Sequence, residues 1–419
     1  MKILVVSDLY PPYHVGGYEI NCKDAVDMLI SRGNEITVLT SSWGVRKKTT
    51  QGNVHRVLDF DRYVLEEHLS NTSYFTSRLM RLRRMSISQR NYLITRKIIS
   101  ITKPDIAFLW HMGHLTFGPA FAVQQAGLPL CYRIEDYSIA RIKKLFDEKE
   151  PFFEKLYHSL IFGKKYFNKL RFHNLLFISQ YVKDYYAKAG FPEGNWRVVP
   201  GGLPSLAIND PIRRSHYPFV REDGIVRLVF GGRLEPEKGP DIAIKAIANI
   251  RSEGSLRNIH LDIIGDGDPD FIKYLNQLTR SLEVEDRVSF LGKLTQPEII
   301  NLFQFYDALL LPSRWQEPFG RIVIEAMAQG LPVIASRNGG VPEIINNHQN
   351  GMLVSPDDPQ NITEALRKLI KDPNLATHIS RNAYLTIRSH FTLEQVVGGM
   401  ENFMLNILKN KLTNLPCSF

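Results

Sequence analysis

Short apolar runs recur along this 419-residue chain, separated by longer stretches in which apolar and polar positions alternate at a helical period. In the first half, Ile3–Ser7, Glu35–Thr40, His55–Phe60, Asp105–Trp110, Leu130–Ile134, Leu175–Ser179 and Arg197–Pro200 read as strands. Val226–Phe230, His260–Ile264, Arg287–Leu291, Ala308–Leu311, Pro332–Ala335 and Met352–Val354 continue the series in the second. Runs without polar alternation suit strands buried on both faces, and helices between them supply the crossovers that parallel neighbours need. The expected fold class is α/β, with two tandem Rossmann-like domains, each a doubly wound parallel sheet. From Gly201 to Gly224 the pattern lapses and three prolines occur. The expected domains are therefore 1–203 and 224–390, joined by a linker at 204–223. An amphipathic stretch, Leu393–Lys409, then predicts a helix within 391–419 that packs back towards the first domain.

One stretch of the second half, Pro312–Gly340, combines this pattern with acidic side chains. A buried strand at Asp307–Leu311 feeds a loop with Glu317, then a helix over Gly320–Gln329 that carries Glu325 and stops at Gly330. A second strand leads into Gly339–Gly340. Ligands of open α/β sheets sit at that strand edge.

Composition narrows the setting. An apolar share of 44% is that of a soluble globular protein, and no run reaches the roughly 18–20 apolar residues of a membrane span. MKILVVSDLY passes straight into a strand pattern, so no signal peptide is expected. Three cysteines, Cys22, Cys131 and Cys417, fit a reducing cytoplasm better than a disulfide framework. Lys and Arg number 52 against 43 Asp and Glu. Part of the excess lies in 72–100, where Arg78, Arg81, Arg83, Arg84, Arg90, Arg96 and Lys97 occur among apolar residues without an acid. A solvated helix face and a dock for an anionic membrane surface, at the inner face of the membrane, both explain it. Nucleic acid is not expected as a partner, because no motif for its recognition accompanies the charge.

Other strand-end loops hold candidate chemistry. Gly16 and Gly17 precede a helix, where backbone amides can meet an anion. Gly231–Gly239 contains Gly232, Arg233 and Lys238 before the helix Pro240–Ile250, a pattern suited to a diphosphate; a salt bridge from Lys238 to Glu235 or Glu237 is the structural alternative. Gly265, Asp266, Gly267 and Asp268 read as a turn rather than a metal site. His111 and His114 are expected on a loop, with acceptor contact favoured over metal binding.

RLEPEKGPDIAIKA from Arg233, Gly265–Gly267, Leu311–Ser313, Glu317–Gly320, Glu325–Ala328 and Gly339–Glu343 together resemble the donor domain of retaining family-four glycosyltransferases with the GT-B fold. The spacing of Glu317 and Glu325 matches that family's Glu-x7-Glu motif. The resemblance implies transfer of a sugar from a UDP- or GDP-sugar to a glycan or glycolipid acceptor, as in polysaccharide or lipopolysaccharide biosynthesis, with no cofactor or metal required. It implies that Glu325 holds the ribose, Glu317 the donor sugar, the amides around Phe319, Gly320 and Arg321 the diphosphate, and Arg233 and Lys238 the leaving phosphate. Gly16, Gly17, Gly232, Gly265 and Leu291 complete the expected donor contacts. Where the family often has a histidine after Leu130–Ile134, this chain has Glu135 and Asp136, which become catalytic candidates. Gly201 stands where the family commonly has asparagine. An epimerase or phosphorylase on the same fold, or a degenerate donor- or membrane-binding subunit, are the alternatives.

Overall fold

The computed structural model describes residues 1–61, 74–147, 164–205, 219, 223–252 and 258–413. Its contacts divide the chain into two compact units, Met1–Pro200 with Val396–Phe419, and Gly201–Gln395. The expected linker falls largely outside the described residues, and of 72–100 the first two residues and the side chains of 74–82 do too.

The first unit runs β1 (Lys2–Ser7), α1 (Gly17–Ser31), β2 (Glu35–Ser41), β3 (Thr49–Gln51), β4 (Val54–Leu58), α2 (Tyr74–Thr102), β5 (Ile106–His111), α3 (Gly118–Gln125), β6 (Leu130–Ile134), α4 (Ser138–Asp147), α5 (Lys164–Phe167), β7 (Asn174–Phe177), α6 (Gln180–Lys188) and β8 (Asn195–Val198). Its sheet order is β3-β4-β2-β1-β5-β6-β7-β8. All neighbours are parallel except β3, which pairs antiparallel with β4. The hydropathy pattern does not show β3 because three polar edge residues, Thr49–Gln51, bury no apolar face. It also misplaces His111, which ends β5 instead of lying on the following loop. β4 stops at Leu58, leaving Asp59 and Phe60 to the loop.

The second unit contains β9 (Val226–Gly231), α7 (Pro240–Ser252), β10 (Ile259–Ile264), α8 (Pro269–Ser281), β11 (Val288–Gly292), α9 (Gln296–Leu302), β12 (Ala308–Leu311), α10 (Arg321–Ala328), β13 (Val333–Ser336), β14 (Met352–Val354), α11 (Pro359–Lys371) and α12 (Pro373–His390). Its six strands are all parallel, in the order β11-β10-β9-β12-β13-β14. Leu228, Phe230, Ile263, Leu310 and Ile334 project from the sheet into a core closed by Ile244, Ile247, Leu366 and Leu369, all at most 1% exposed. Each such side chain contributes about 1.5–3 kcal/mol by leaving water.

Each sheet reverses its strand order beside its first strand, between β1 and β5 and between β9 and β12. Loops on either side of such a reversal diverge and leave a crevice at the carboxyl edge. The segments where the chain enters and leaves the second unit are tied together, Leu203 N donating to Phe391 O at 2.9 Å and Leu393 N to Leu203 O at 2.8 Å. The last helix, α13 (Leu393–Thr413), buries Val397, Met400, Phe403 and Met404 and belongs to the first unit from Val396 on.

Candidate functional site

In the second unit the loops after β9 and β12 meet backbone to backbone. Gly239 has φ 72°, and a Cβ there would lie 2.2 Å from the Pro312 carbonyl oxygen. The amides of Arg314 and Trp315 both donate to the Glu237 carbonyl, at 2.8 and 3.0 Å. Arg314 fastens the junction. Its guanidinium reaches Asp241 bidentately at 2.7 and 2.9 Å, the Pro236 carbonyl at 2.7 Å and Asp357 at 2.7 Å. Burial alone would raise the Asp241 carboxyl, but hydrogen bonds from Arg314 and Lys245 outweigh it and hold it below its ordinary value. The pattern along the chain does not reveal this pair, whose partners are 73 positions apart; its trace in the sequence is an arginine inside the candidate loop and an acid in the first turn of α7.

The junction places Lys238 against Glu317. Lys238 Nζ donates to Glu317 Oε1 at 2.7 Å, and Ser313 Oγ donates to the same oxygen at 2.9 Å. Lys238 is therefore paired across the loops, while the local pair in its own loop is Arg233 Nη1 with Glu235 at 2.6 Å. Arg233 is 63% exposed and Lys238 16%. Glu317 is held from behind by the glycine loop after β13. Gly340 N donates to Glu317 O at 2.7 Å, and Gly339, at φ 60°, brings its Cα so close that a Cβ would lie 2.2 Å from that oxygen.

Glu325, buried on α10, accepts from Arg321 Nε at 2.8 Å and Gln296 Nε2 at 2.5 Å, again both on Oε1. Among the described residues, Oε2 of Glu317 and Oε2 of Glu325 have no hydrogen-bond partner. Gly320 precedes α10 in the left-handed region at φ 107°. The Phe319 ring is buried beside Phe391 and Gly201. Gly232 meets the loop of Gly265, its amide donating to Ile264 O at 3.0 Å. Leu291 is 41% exposed near the end of β11. Asp268 caps α8, its carboxylate accepting the Asp270 and Phe271 amides at 2.9 and 3.1 Å.

In the first unit, Gly16 and Gly17 open α1, where Gly16 N donates to Glu19 Oε2 at 2.9 Å. Glu135 is buried and fixed through both oxygens, by Arg133 Nε at 2.8 Å and Asn21 Nδ2 at 3.2 Å. Arg133 is itself fully buried, with Nη1 on the Val199 carbonyl at 2.5 Å and Nη2 on that of Pro200 at 3.2 Å. Asp136 instead turns to the start of α4, accepting the Ser138 amide at 3.0 Å and hydroxyl at 2.7 Å. Burial, followed by the charges of Asp136, Glu19, Asp8 and Glu135, pushes the Tyr18 hydroxyl well above its usual value, so it keeps its proton. His114 follows β5, its amide donating to the buried Asp8 carboxylate at 2.9 Å.

The second unit's residues 219–386 match the family described as Glycosyl transferases group 1. An uncharacterized glycosyltransferase of Methanocaldococcus jannaschii is 26% identical over 405 residues, spanning 94% of this chain and 96% of its own. N-acetyl-alpha-D-glucosaminyl L-malate synthase of Bacillus anthracis is 34% identical over 167 residues, but this covers only 40% of this chain and 42% of that enzyme. Among solved structures, Anabaena HepE in complex with UDP and glucose superposes with a TM-score of 0.67 at 21% identity, over 97% of this chain and 100% of its own. Residues 219–386 are thus a glycosyl transferases group 1 domain, carried in a chain of two parallel-sheet units that has the GT-B fold of solved glycosyltransferases.

Proposed function

We propose that this glycosyltransferase moves a hexosyl group from a nucleoside diphosphate sugar to a glycan or glycolipid acceptor, with retention at the anomeric carbon and without a metal ion. The observation that carries the reading is the matched state of Glu317 and Glu325: each has one carboxylate oxygen committed to protein donors and the other oriented by that commitment. Two such acceptors suit hydroxyl pairs, Glu325 a ribose diol and Glu317 the donor sugar. The UDP and glucose bound by HepE favour a UDP-hexose.

The leaving nucleoside diphosphate is already a stable anion, so no acid need protonate it. Negative charge that builds on its oxygens is met by Lys238 and Arg233. As the bond from the anomeric carbon to the phosphate oxygen breaks, the acceptor oxygen bonds to that carbon on the same face, and its proton passes to the departing phosphate. Glu135, held by Arg133 and Asn21, is assigned in this reading to accept a hydrogen bond from a substrate hydroxyl. Peripheral docking on an anionic membrane at its cytoplasmic side is part of the same reading. It is supported by the exposed face of α2, where Arg96 and Lys97 lie near exposed Leu93 and Ile101.

The test is a panel of UDP- and GDP-sugars assayed with EDTA. Transfer from one of them should survive chelation and fall about 100- to 1,000-fold in Lys238→Ala, the loss of one preorganised donor. Full activity in Lys238→Ala, or loss of activity with EDTA, overturns the reading. Vesicles of anionic lipid should retain the wild type and release Arg96→Glu/Lys97→Glu; equal retention removes the membrane dock.

A further inference from the structure

Three rings from three different strand ends form a cluster at the carboxyl edge of the first unit's sheet. Trp43 follows β2, Phe60 follows β4 and His114 follows β5. Phe60 and His114 stack with centroids 4.6 Å apart and planes 18° from parallel, and Trp43 lies 6.1 Å from Phe60. All three are half-buried.

The imidazole is fixed at every point but one. Its backbone amide donates to Asp8 Oδ2 at 2.9 Å, and its carbonyl accepts from Asp61 N at 3.0 Å. Nδ1 lies 2.8 Å from the Asp61 carbonyl, which can only accept, so Nδ1 carries the proton. In the neutral ring Nε2 is then a hydrogen-bond acceptor, and it has no partner among the described residues. Asp61 is itself anchored by Arg84 at 3.2 Å in a pair in which both side chains are buried. Buried Asn91 ties the segment before Phe60 to the one after His114, through Asp59 N at 2.8 Å, Asp59 O at 2.9 Å and Leu115 O at 3.0 Å.

We infer that Trp43, Phe60 and His114 form a subsite for a sugar ring of the acceptor, a role that rests on the transferase reading above. The C–H bonds on one face of a pyranose would pack against the exposed parts of these half-buried rings. A hydroxyl on the ring's edge donates to His114 Nε2. The chemistry selected is a rigid ring with one apolar face and an equatorial or axial hydroxyl at its rim, rather than a flexible polyol.

Saturation-transfer NMR on the full chain tests this with methyl β-D-glucopyranoside, methyl α-D-mannopyranoside, methyl N-acetyl-β-D-glucosaminide, sorbitol and UDP. Ring protons of at least one glycoside should receive saturation while sorbitol receives none. That glycoside's affinity should weaken about 2- to 12-fold in His114→Phe, which keeps the stack and removes Nε2, and again in Phe60→Ala. Unchanged far-UV circular dichroism and an unchanged thermal transition of the first unit in both variants show that they are folded. No glycoside signal in the wild type, or wild-type affinity in both variants, overturns the subsite. Absence of saturation from the wild type for UDP and, offered in its place, for GDP is the separate failure of the nucleotide-sugar reading, and it withdraws the acceptor role even where glycoside signals remain.

Discussion

At the scale of single residues, the direction of the Glu317 carboxylate is set by small neighbours. Ser313 Oγ, with Lys238, fixes Oε1, and Gly339 fixes the backbone beneath it. Ser313→Ala should leave the fold intact and cost about 0.5–1.5 kcal/mol of donor affinity, the worth of one hydrogen bond, measured as a shift in the Kd of the nucleotide sugar. Gly339→Ala should do more harm. A left-handed backbone costs a side chain about 1–2 kcal/mol, and the new methyl must displace Glu317 itself. Its signature is a lower Tm together with lost transfer, whereas Ser313→Ala changes binding alone. Glu317, Glu325 and Gly339–Gly340 could be read from the sequence because one motif keeps them close in order, and Lys238, 79 positions from Glu317, because it sits in a second glycine-bearing loop with a pattern of its own. Arg133 could not. Its ion pair with Glu135 is local, but its carbonyl partners at Val199 and Pro200 are brought to it by the pairing of β6, β7 and β8.

Between elements, Arg314 and Asp241 decide whether the loops after β9 and β12 stay in register. Asp241→Asn removes the charge that Arg314 grips and should cost about 1.5–3 kcal/mol, the range for hydrogen bonds to charged groups, visible in urea unfolding. The pH dependence has a definite sign. Because the folded Asp241 carboxyl lies below its ordinary value, its stabilisation is present above about pH 4 and is lost as pH falls through the lower folded value. Wild type should therefore lose stability across that acid window more steeply than Asp241→Asn; parallel acid limbs would refute the assignment. The strands themselves were legible, since buried parallel strands leave uninterrupted apolar runs. The failures are at edges: β3 has no buried face to leave a trace, and the end of β5 at His111 depends on a neighbour, Ser7 of β1, that pairs with it.

For the molecule as a whole, the division into two units was visible as a lapse in periodicity, and the helical character of the last segment in its amphipathic pattern. Its return towards the first domain was expected as well, but the particular residues it meets were not, because amphipathicity reports only that one face is covered. The structure gives that face to the first unit: Glu401 accepts from Arg32 Nε at 2.8 Å and Asn34 Nδ2 at 2.7 Å, and Phe403 is completely buried. Phe403→Ala should destabilise the first unit by about 3–5 kcal/mol while UDP binding by the second persists. Simultaneous loss of both would show that the units do not melt separately. Because Gly201–Gln395 interrupts the first unit's chain, the order of synthesis on the ribosome and the order of completion differ. The second unit is finished when residue 395 has emerged, whereas the first must wait, its α13 face uncovered, for roughly 10–40 s of further translation after residue 200 at ~5–20 residues per second. The half of the protein that is made first is thus completed last, and the nascent chain exposes the apolar surface that Val397, Met400, Phe403 and Met404 will later cover to whatever chaperone attends it.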